Sequence, residues 1–487
     1  MKMKSRIVCV LLLGLVGQIS CAYAADPADK TSKQIDTLIS QYADCCSFTG
    51  AVLISEHNRV VFKKGYGLAN REWNIPNAPD VKFRLGSITK QFTSMLVMQQ
   101  VAKGSIKLDG HLSDYLPYYR QDTGSKISIS QLLSHTSGIP SYTDDPKFFS
   151  DVSRNYYAVE DFVKKYCSGD LQFEPGTKFH YDNSGYFILG AILEHVSGKT
   201  YEALLKEDIL VPLAMKDSGY DHYADILPKR AAGYQLDLAG VENAPYLDMS
   251  IPFAAGSLYS TVEDLYKWDQ ALHADKLLPG DLKQKLFTPN LENYAYGWFI
   301  RTIPAGEPGA GQTMITHGGG INGFNTLEQR LVGDHSLIVI FNNTPGASLD
   351  EMAKGIRAIL YMQQPAIPKR MLVRDLGLTV VAGGGDAAVA QYRELKRTNP
   401  DGYNFNERAL AQLGSLLLQK GRNSDAITIL KLNVEEYPKS TIAYDSLADA
   451  YAHDGQKPQA IANYHKSLEL DPKDQTATDR LKDLEQN

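Results

Sequence analysis

Cysteine is scarce: the 487-residue chain has five, and Cys9 and Cys21 fall within its first two dozen residues. Cys45, Cys46 and Cys167 remain, an odd number with two adjacent members, which excludes a disulfide framework as the basis of the fold. A bridge from the adjacent pair to Cys167 is open after export, and unpaired thiols are the plainer expectation. HExxH, HxH and paired CxxC spacings are missing, so neither a metal nor a cofactor is expected. Basic blocks are missing too, and at a net charge of −6 nothing invites nucleic acid. After the first residues no apolar run approaches the roughly 20 positions a membrane span needs. What remains, 43% hydrophobic and 22% charged, is an ordinary globular composition, long enough for two or three domains.

The first residues have the pattern of an export signal. Lys2, Lys4 and Arg6 precede an apolar stretch from Ile7 to Val16, and Ala22-Tyr23-Ala24 supplies a small-x-small cleavage site. Removal of residues 1–24 and export to the periplasm are expected; lipidation at Cys21 is the rival reading.

Residues 30–362 are rich in aromatics, glycines and short apolar alternations. Lys33 to Tyr42 has helical spacing, Gly50 to Ser55 and Arg59 to Lys64 read as a strand pair, and Ser336 to Asn342 as a returning strand. An α+β fold, with helices flanking an antiparallel sheet and a helical subdomain, fits that order. Pro365, Pro368 and Gly383-Gly384-Gly385 punctuate a seam, so residues 363–403 are expected to be a linker and a capping helix. In residues 404–487, Leu413 and Leu447, Gly421 and Gly455, Ala426 and Ala460, Ile427 and Ile461, and Pro438 and Pro472 are each 34 apart. This is the tetratricopeptide period, and it predicts an all-α C-terminal domain. Two such repeats need neighbours, and Asp386 to Arg397 and Thr476 to Leu484 are the candidate caps. A docked appendage and a surface for a protein partner are both open readings of this domain.

The local motif that carries chemistry is Ser87-Ile88-Thr89-Lys90. On a helix, positions i and i+3 share a face, so hydroxyl and amine become neighbours. A serine alcohol is a weak nucleophile until a base takes its proton, and a lysine of lowered pKa can do so. Gly86 just before suits a tight turn into the helix.

Phe83-Arg84-Leu85-Gly86-Ser87-Ile88-Thr89-Lys90-Gln91-Phe92-Thr93 closely resembles the nucleophile segment of the class C β-lactamase and D-Ala-D-Ala peptidase family. The family's Tyr-x-Asn element is present as Tyr181-Asp182-Asn183, and its Lys/His-x-Gly element as His317-Gly318-Gly319. His135-Thr136-Ser137-Gly138-Ile139-Pro140, Ala255-Gly256-Ser257-Leu258-Tyr259-Ser260 and Tyr296-Gly297-Trp298 also match, and the resemblance spans residues 30–362. It implies an acyl-enzyme on Ser87, with Lys90 and Tyr181 sharing the proton traffic. An adjacent ammonium is expected to lower the ionisation of the Tyr181 phenol. Asn183 is expected to orient Lys90 and donate to a substrate amide, and the N–H groups of Ser87 and Gly320 to form the oxyanion hole. His317, Gly319, Gly320 and Tyr142 are the remaining substrate-binding candidates, with His317 partly charged and facing a carboxylate. His135 and His180 are expected to be structural, and the side chain of Asp182 to point outward.

Three substrate classes fit the resemblance: D-Ala-D-Ala peptides, β-lactams and small esters. A histidine where many β-lactamases have lysine favours peptidase or esterase over β-lactamase. The intact set of Ser87, Lys90, Tyr181 and Asn183 argues against a non-catalytic binding protein that acts through its repeats.

Overall fold

The computed structural model describes residues 27–145 and 147–486. The predicted export segment, residues 1–24, lies outside them. Helix α1 (Pro27–Cys46) leads into strands β1 (Gly50–Glu56) and β2 (Arg59–Tyr66). Between these strands His57 and Asn58 both hold positive φ, which lets a two-residue hairpin follow the strand twist. Helices α2 (Thr89–Ala102) and α3 (Asn183–Ser197), a hairpin of β3 (Tyr234–Asp237) and β4 (Gly240–Asn243), and α4 (Val262–His273) come next. Strands β5 (Phe299–Thr302), β6 (Thr313–Ile321), β7 (Phe324–Leu331) and β8 (Ser336–Asn342) then complete a six-stranded antiparallel sheet, ordered β5-β6-β7-β8-β1-β2. Helix α5 (Leu349–Leu360) follows.

The central strands read as unbroken apolar runs because each face of the sheet has its own cover. In β1, Ala51 and Leu53 join the core around α2, while Val52 and Ile54 face α1 and α5. In β8, Leu337, Val339 and Phe341 take the first side and Ile338 and Ile340 the second. This is the period-2 alternation of a strand buried on both faces. Helix α2 is enclosed, with every residue from Thr89 to Met98 buried. The fold is α+β.

The cysteines differ from both expected arrangements: Cys45 and Cys46 are bonded to each other, and Cys167 is a buried free thiol. Cys46 and Cys167 belong to cores on opposite faces of the sheet, which keeps them apart.

Beyond α5 the chain is helical. In α6 (Leu372–Thr398) the glycine run predicted as punctuation sits inside a helical segment, and Gly384, at φ +82°, kinks it. The Gly385 N–H donates to Asp425 Oδ1 at 2.7 Å, which holds the kink against a neighbouring helix. Then come α7 (Glu407–Gln419), α8 (Asn423–Glu436), α9 (Thr441–His453), α10 (Lys457–Leu470) and α11 (Gln475–Gln486), each packed on the next. Gly421 and Gly455, just past α7 and α9, both hold the positive φ of a left-handed helix stop. The β3–β4 hairpin joins the two regions. Its Leu238 is buried in the helical core, and Lys420 pairs with Asp237 at 3.0 Å and Glu242 at 3.2 Å.

Candidate active site

The turn before α2 sets the geometry. Gly86 holds φ +56°, and a Cβ there would lie 2.9 Å from the backbone N of Gly320 on β6. Strand β5 pairs with β6 only as far as Thr316, so the outer edge of β6 from His317 onward is open to this turn. The hydroxyl of Thr326 on β7 reaches across and donates to the Leu85 carbonyl at 2.7 Å. Ser87 and Gly320 are thereby held side by side on a cleft of about 410 Å³, with Tyr142 and Asn183 also in its lining.

Lys90, fully buried, has three partners: Ser87 Oγ at 3.1 Å, Asn183 Oδ1 at 2.8 Å and the Ala255 carbonyl at 3.0 Å. Burial brings its pKa down to about 7, against the raising effect of Asp182. A neutral amine has two N–H groups and one lone pair. Asn183 Oδ1 and the Ala255 carbonyl can only accept, so they take the two N–H groups and leave the lone pair for the Ser87 hydroxyl. The arrangement suits a base that removes the Ser87 proton.

Tyr181 lies beside this amine, with Lys90 Nζ 4.9 Å from its ring centroid. Its ionisation is not lowered, contrary to expectation: burial drives the phenol well up, with Ser87 opposing the rise. The phenolic oxygen is buried without a completed hydrogen bond among the described residues. As a protonated phenol it can donate, which suits delivery of a proton to a leaving group.

Asn183 begins α3, and Asp182 is that helix's N-cap. The Asp182 carboxylate accepts the Gly185 N–H at 2.8 Å and the Ser137 hydroxyl at 3.2 Å. The prediction that Asp182 points outward is therefore corrected: it is 1% exposed, because capping satisfies a helix donor that would otherwise be buried and unpaired. Burial lifts its pKa to about 7. Asn183 gives its Nδ2 to Thr143 Oγ1 at 3.0 Å, which fixes the amide with its oxygen toward Lys90.

His317 also differs from expectation. Burial first, and the Lys90 charge second, lower its pKa to about 3, so the ring is neutral. Nδ1 donates to the Gly318 carbonyl at 2.6 Å, and Nε2 accepts from the Tyr294 hydroxyl at 3.2 Å. With both nitrogens engaged, it offers a substrate carboxylate neither charge nor a free donor. Gly319 is likewise turned away from the cleft: a Cβ there would meet the Leu85 carbonyl at 1.9 Å, so it packs the strand on the nucleophile's turn. Tyr142 lines the cleft and donates to the Ile251 carbonyl at 3.2 Å.

His135 is buried among the rings of Tyr181, Tyr294 and Tyr186, at 4.3, 4.6 and 5.0 Å, and its Nδ1 accepts the Asp182 N–H. His180 pairs with Asp144 at the surface. Sequence reasoning missed Thr143, Tyr294 and the Ala255 carbonyl. The last lay inside a matching stretch, but a backbone acceptor leaves no residue-type signature.

A serine alcohol facing an amine held near neutrality is the apparatus of serine hydrolases. Comparison with known proteins gives the family: the Beta-lactamase model matches residues 35–361, and the chain belongs to that family. It is 29% identical over 323 residues to the putative penicillin-binding protein PbpX of Bacillus subtilis (strain 168), an alignment covering 65% of this chain and 77% of the relative. A penicillin binding protein from Bacillus halodurans superposes with TM-score 0.59 and 27% identity, over 67% of this chain and 98% of that one. A D-stereospecific amidohydrolase from Streptomyces sp. gives TM-score 0.57 and 25% identity, over 67% and 98%. The protein is a serine hydrolase of the β-lactamase fold.

Proposed function

We propose that the protein is an exported hydrolase that cleaves an amide or ester through an acyl-enzyme on Ser87, with a D-Ala-D-Ala-type peptide or a small ester as substrate. The observation that carries this reading is the hydrogen-bond set of Lys90, whose Nζ lies 3.1 Å from Ser87 Oγ and is held by Asn183 Oδ1 and the Ala255 carbonyl. Lys90 takes the Ser87 proton as Oγ bonds to the carbonyl carbon, and the N–H groups of Ser87 and Gly320 hold the resulting oxyanion. Collapse expels the alcohol or amine, which takes a proton from the Lys90–Tyr181 pair. Water then attacks the acyl-enzyme and gives up its proton to the same pair, which returns it to Ser87 Oγ as the acid is released. The 34-residue spacing supports reading the C-terminal helices as tetratricopeptide-like, with a protein partner as one role for them. Export rests on the pattern of residues 1–24.

The test is hydrolysis of a p-nitrophenyl ester and a chromogenic cephalosporin side by side, with Ser87→Ala as control. Ser87-dependent ester turnover with slow cephalosporin loss is expected, since His317 is neutral. Fast cephalosporin turnover would place the protein with the β-lactamases proper, and ester turnover that survives in Ser87→Ala would sink the acyl-enzyme.

A further inference from the structure

Among the described residues, the cleft beside Ser87 has no charged side chain in its lining. Its walls are mainly apolar, with Phe148, Phe149, Leu247, Ile251 and Phe324 among them. A second cavity of about 390 Å³ adjoins it and shares Leu247, Asn322 and Phe324 with it. This neighbour is built differently, with Arg84 and Arg230 both in its lining. Both guanidinium groups face one carboxylate: Arg84 Nε donates to Asp221 Oδ2 at 2.5 Å, and Arg230 Nη1 to Asp221 Oδ1 at 2.7 Å.

Asp221 is 1% exposed and neutralises only one of the two cations. Arg230 spends its remaining contacts on backbone carbonyls, Nη1 on His222 at 3.1 Å and Nη2 on Asp225 at 3.2 Å. Arg84 is different. Only its Nε is engaged, and among the described residues neither Nη has a hydrogen-bond partner. Its side chain is 13% exposed, and it lines the cavity. A guanidinium whose two Nη groups have no partner among the described residues is open to an anion in the cavity, and a carboxylate matches that fork with two parallel bonds. Tyr223 and Tyr246 also border the cavity, edge to face with centroids 4.7 Å apart and both exposed.

We propose that Arg84, steadied by Asp221 and Arg230, receives a carboxylate of the substrate remote from the scissile bond. The preferred substrate is then an amide or ester with an apolar group beside Ser87 and a carboxylate one cavity away. This rests on the acyl-enzyme reading of Ser87. It moves the anion-recognising cation from His317, where the ring is neutral and engaged, to the residue three places before the nucleophile.

Two matched pairs of chromogenic esters test it. In one pair the acyl group ends in methyl or carboxylate; in the other the nitrophenyl leaving group lacks or bears a carboxylate. In the wild-type protein the carboxylate is expected to raise kcat/KM about ten- to a hundredfold in one pair, mainly through KM, as a charge-assisted bond would. That preference should shrink as salt rises. Arg84→Gln should bring the ratio of charged to neutral ester close to one, and Arg84→Lys should restore part of it. The wild-type preference and its salt dependence decide the matter even if Arg84→Gln fails to fold. A carboxylate that weakens both pairs, or a preference that survives Arg84→Gln, overturns the proposal. So does an effect of free phosphate or acetate on the neutral ester through Arg84 when neither charged ester gains. Turnover of every ester without Ser87 would instead sink the acyl-enzyme itself, and the subsite with it.

Discussion

The two cores of this chain are made of different material. Around α2 and the sheet, the interior holds Lys90, His135, Asp182, His317 and Glu328, all titratable and at most 3% exposed. The core of the C-terminal helices is leucine, isoleucine, valine, alanine and tyrosine, and Asn433 and Ser467 are its fully buried polar residues. Burying a titratable group is unfavourable unless its partners are fixed. The first core accepts that cost to hold an amine near neutrality beside Ser87. Among the described residues the second has no fully buried acid, lysine or histidine, and its side chains mainly pack, with Asn433 and Tyr464 each also donating a hydrogen bond. Chemistry and cohesion are segregated along the chain, and substitutions should separate them.

The largest effect is expected at Lys90. Lys90→Ala should lower the acylation rate about 10²- to 10⁴-fold, the range of a general base. In the unaltered protein kcat/KM should fall about tenfold per pH unit below about 7, as the amine gains a proton, and the variant should lose that limb; a rapid-mixing pH profile reads both. In the other core, Leu430→Ala opens a cavity against Gly414 and should cost about 2–5 kcal/mol in denaturant unfolding, with kcat/KM of the folded fraction unaltered.

Glu328 sharpens the contrast. Its carboxyl is buried without a completed hydrogen bond among the described residues, and burial raises its pKa from 4.5 to about 7. A raised pKa contributes stability that is fully present below about 4.5 and is lost as pH rises through about 7. Glu328→Gln should therefore gain on the native protein by up to about 3 kcal/mol between pH 4 and pH 8, seen as a Tm difference that widens with pH. The smallest effect belongs to the junction: Lys420→Ala removes exposed pairs to Asp237 and Glu242 and should cost under about 1 kcal/mol.

How much of this was legible depended on whether the signal was local. Ser87 and Lys90 are one helical turn apart, so their juxtaposition follows from spacing alone. The apolar runs of β1 and β8 likewise announce strands. Glu328 and Arg330 are two apart on β7, and both are buried. They are covered because α4 brings Asp269 within 2.5 Å of Arg330, a contact across 61 positions that no pattern reveals. The cap that Asp182 makes to Gly185 is local, but its enclosure also draws on Ser137, 45 residues earlier. The neutrality of His317 is a matter of enclosure, and enclosure is tertiary. The glycine run in α6 misled because its kink is sustained from outside, by Asp425.

The contact between Gly86 and Gly320 has a consequence for how such a protein can change over generations. Between Gly86 and Gly320 the contact is backbone on backbone, so a side chain added at Gly86 cannot narrow the gap without moving the strand. A library drawn from this gene should find its tolerated novelty in Phe148, Phe149, Leu247 and Phe324, where bulk can be traded. At Gly86 an added methyl meets the backbone of Gly320, whereas at Gly320 it would meet only Asn325 Oδ1, at 3.8 Å. Selection can redraw what the enzyme accepts far more freely than where it cuts.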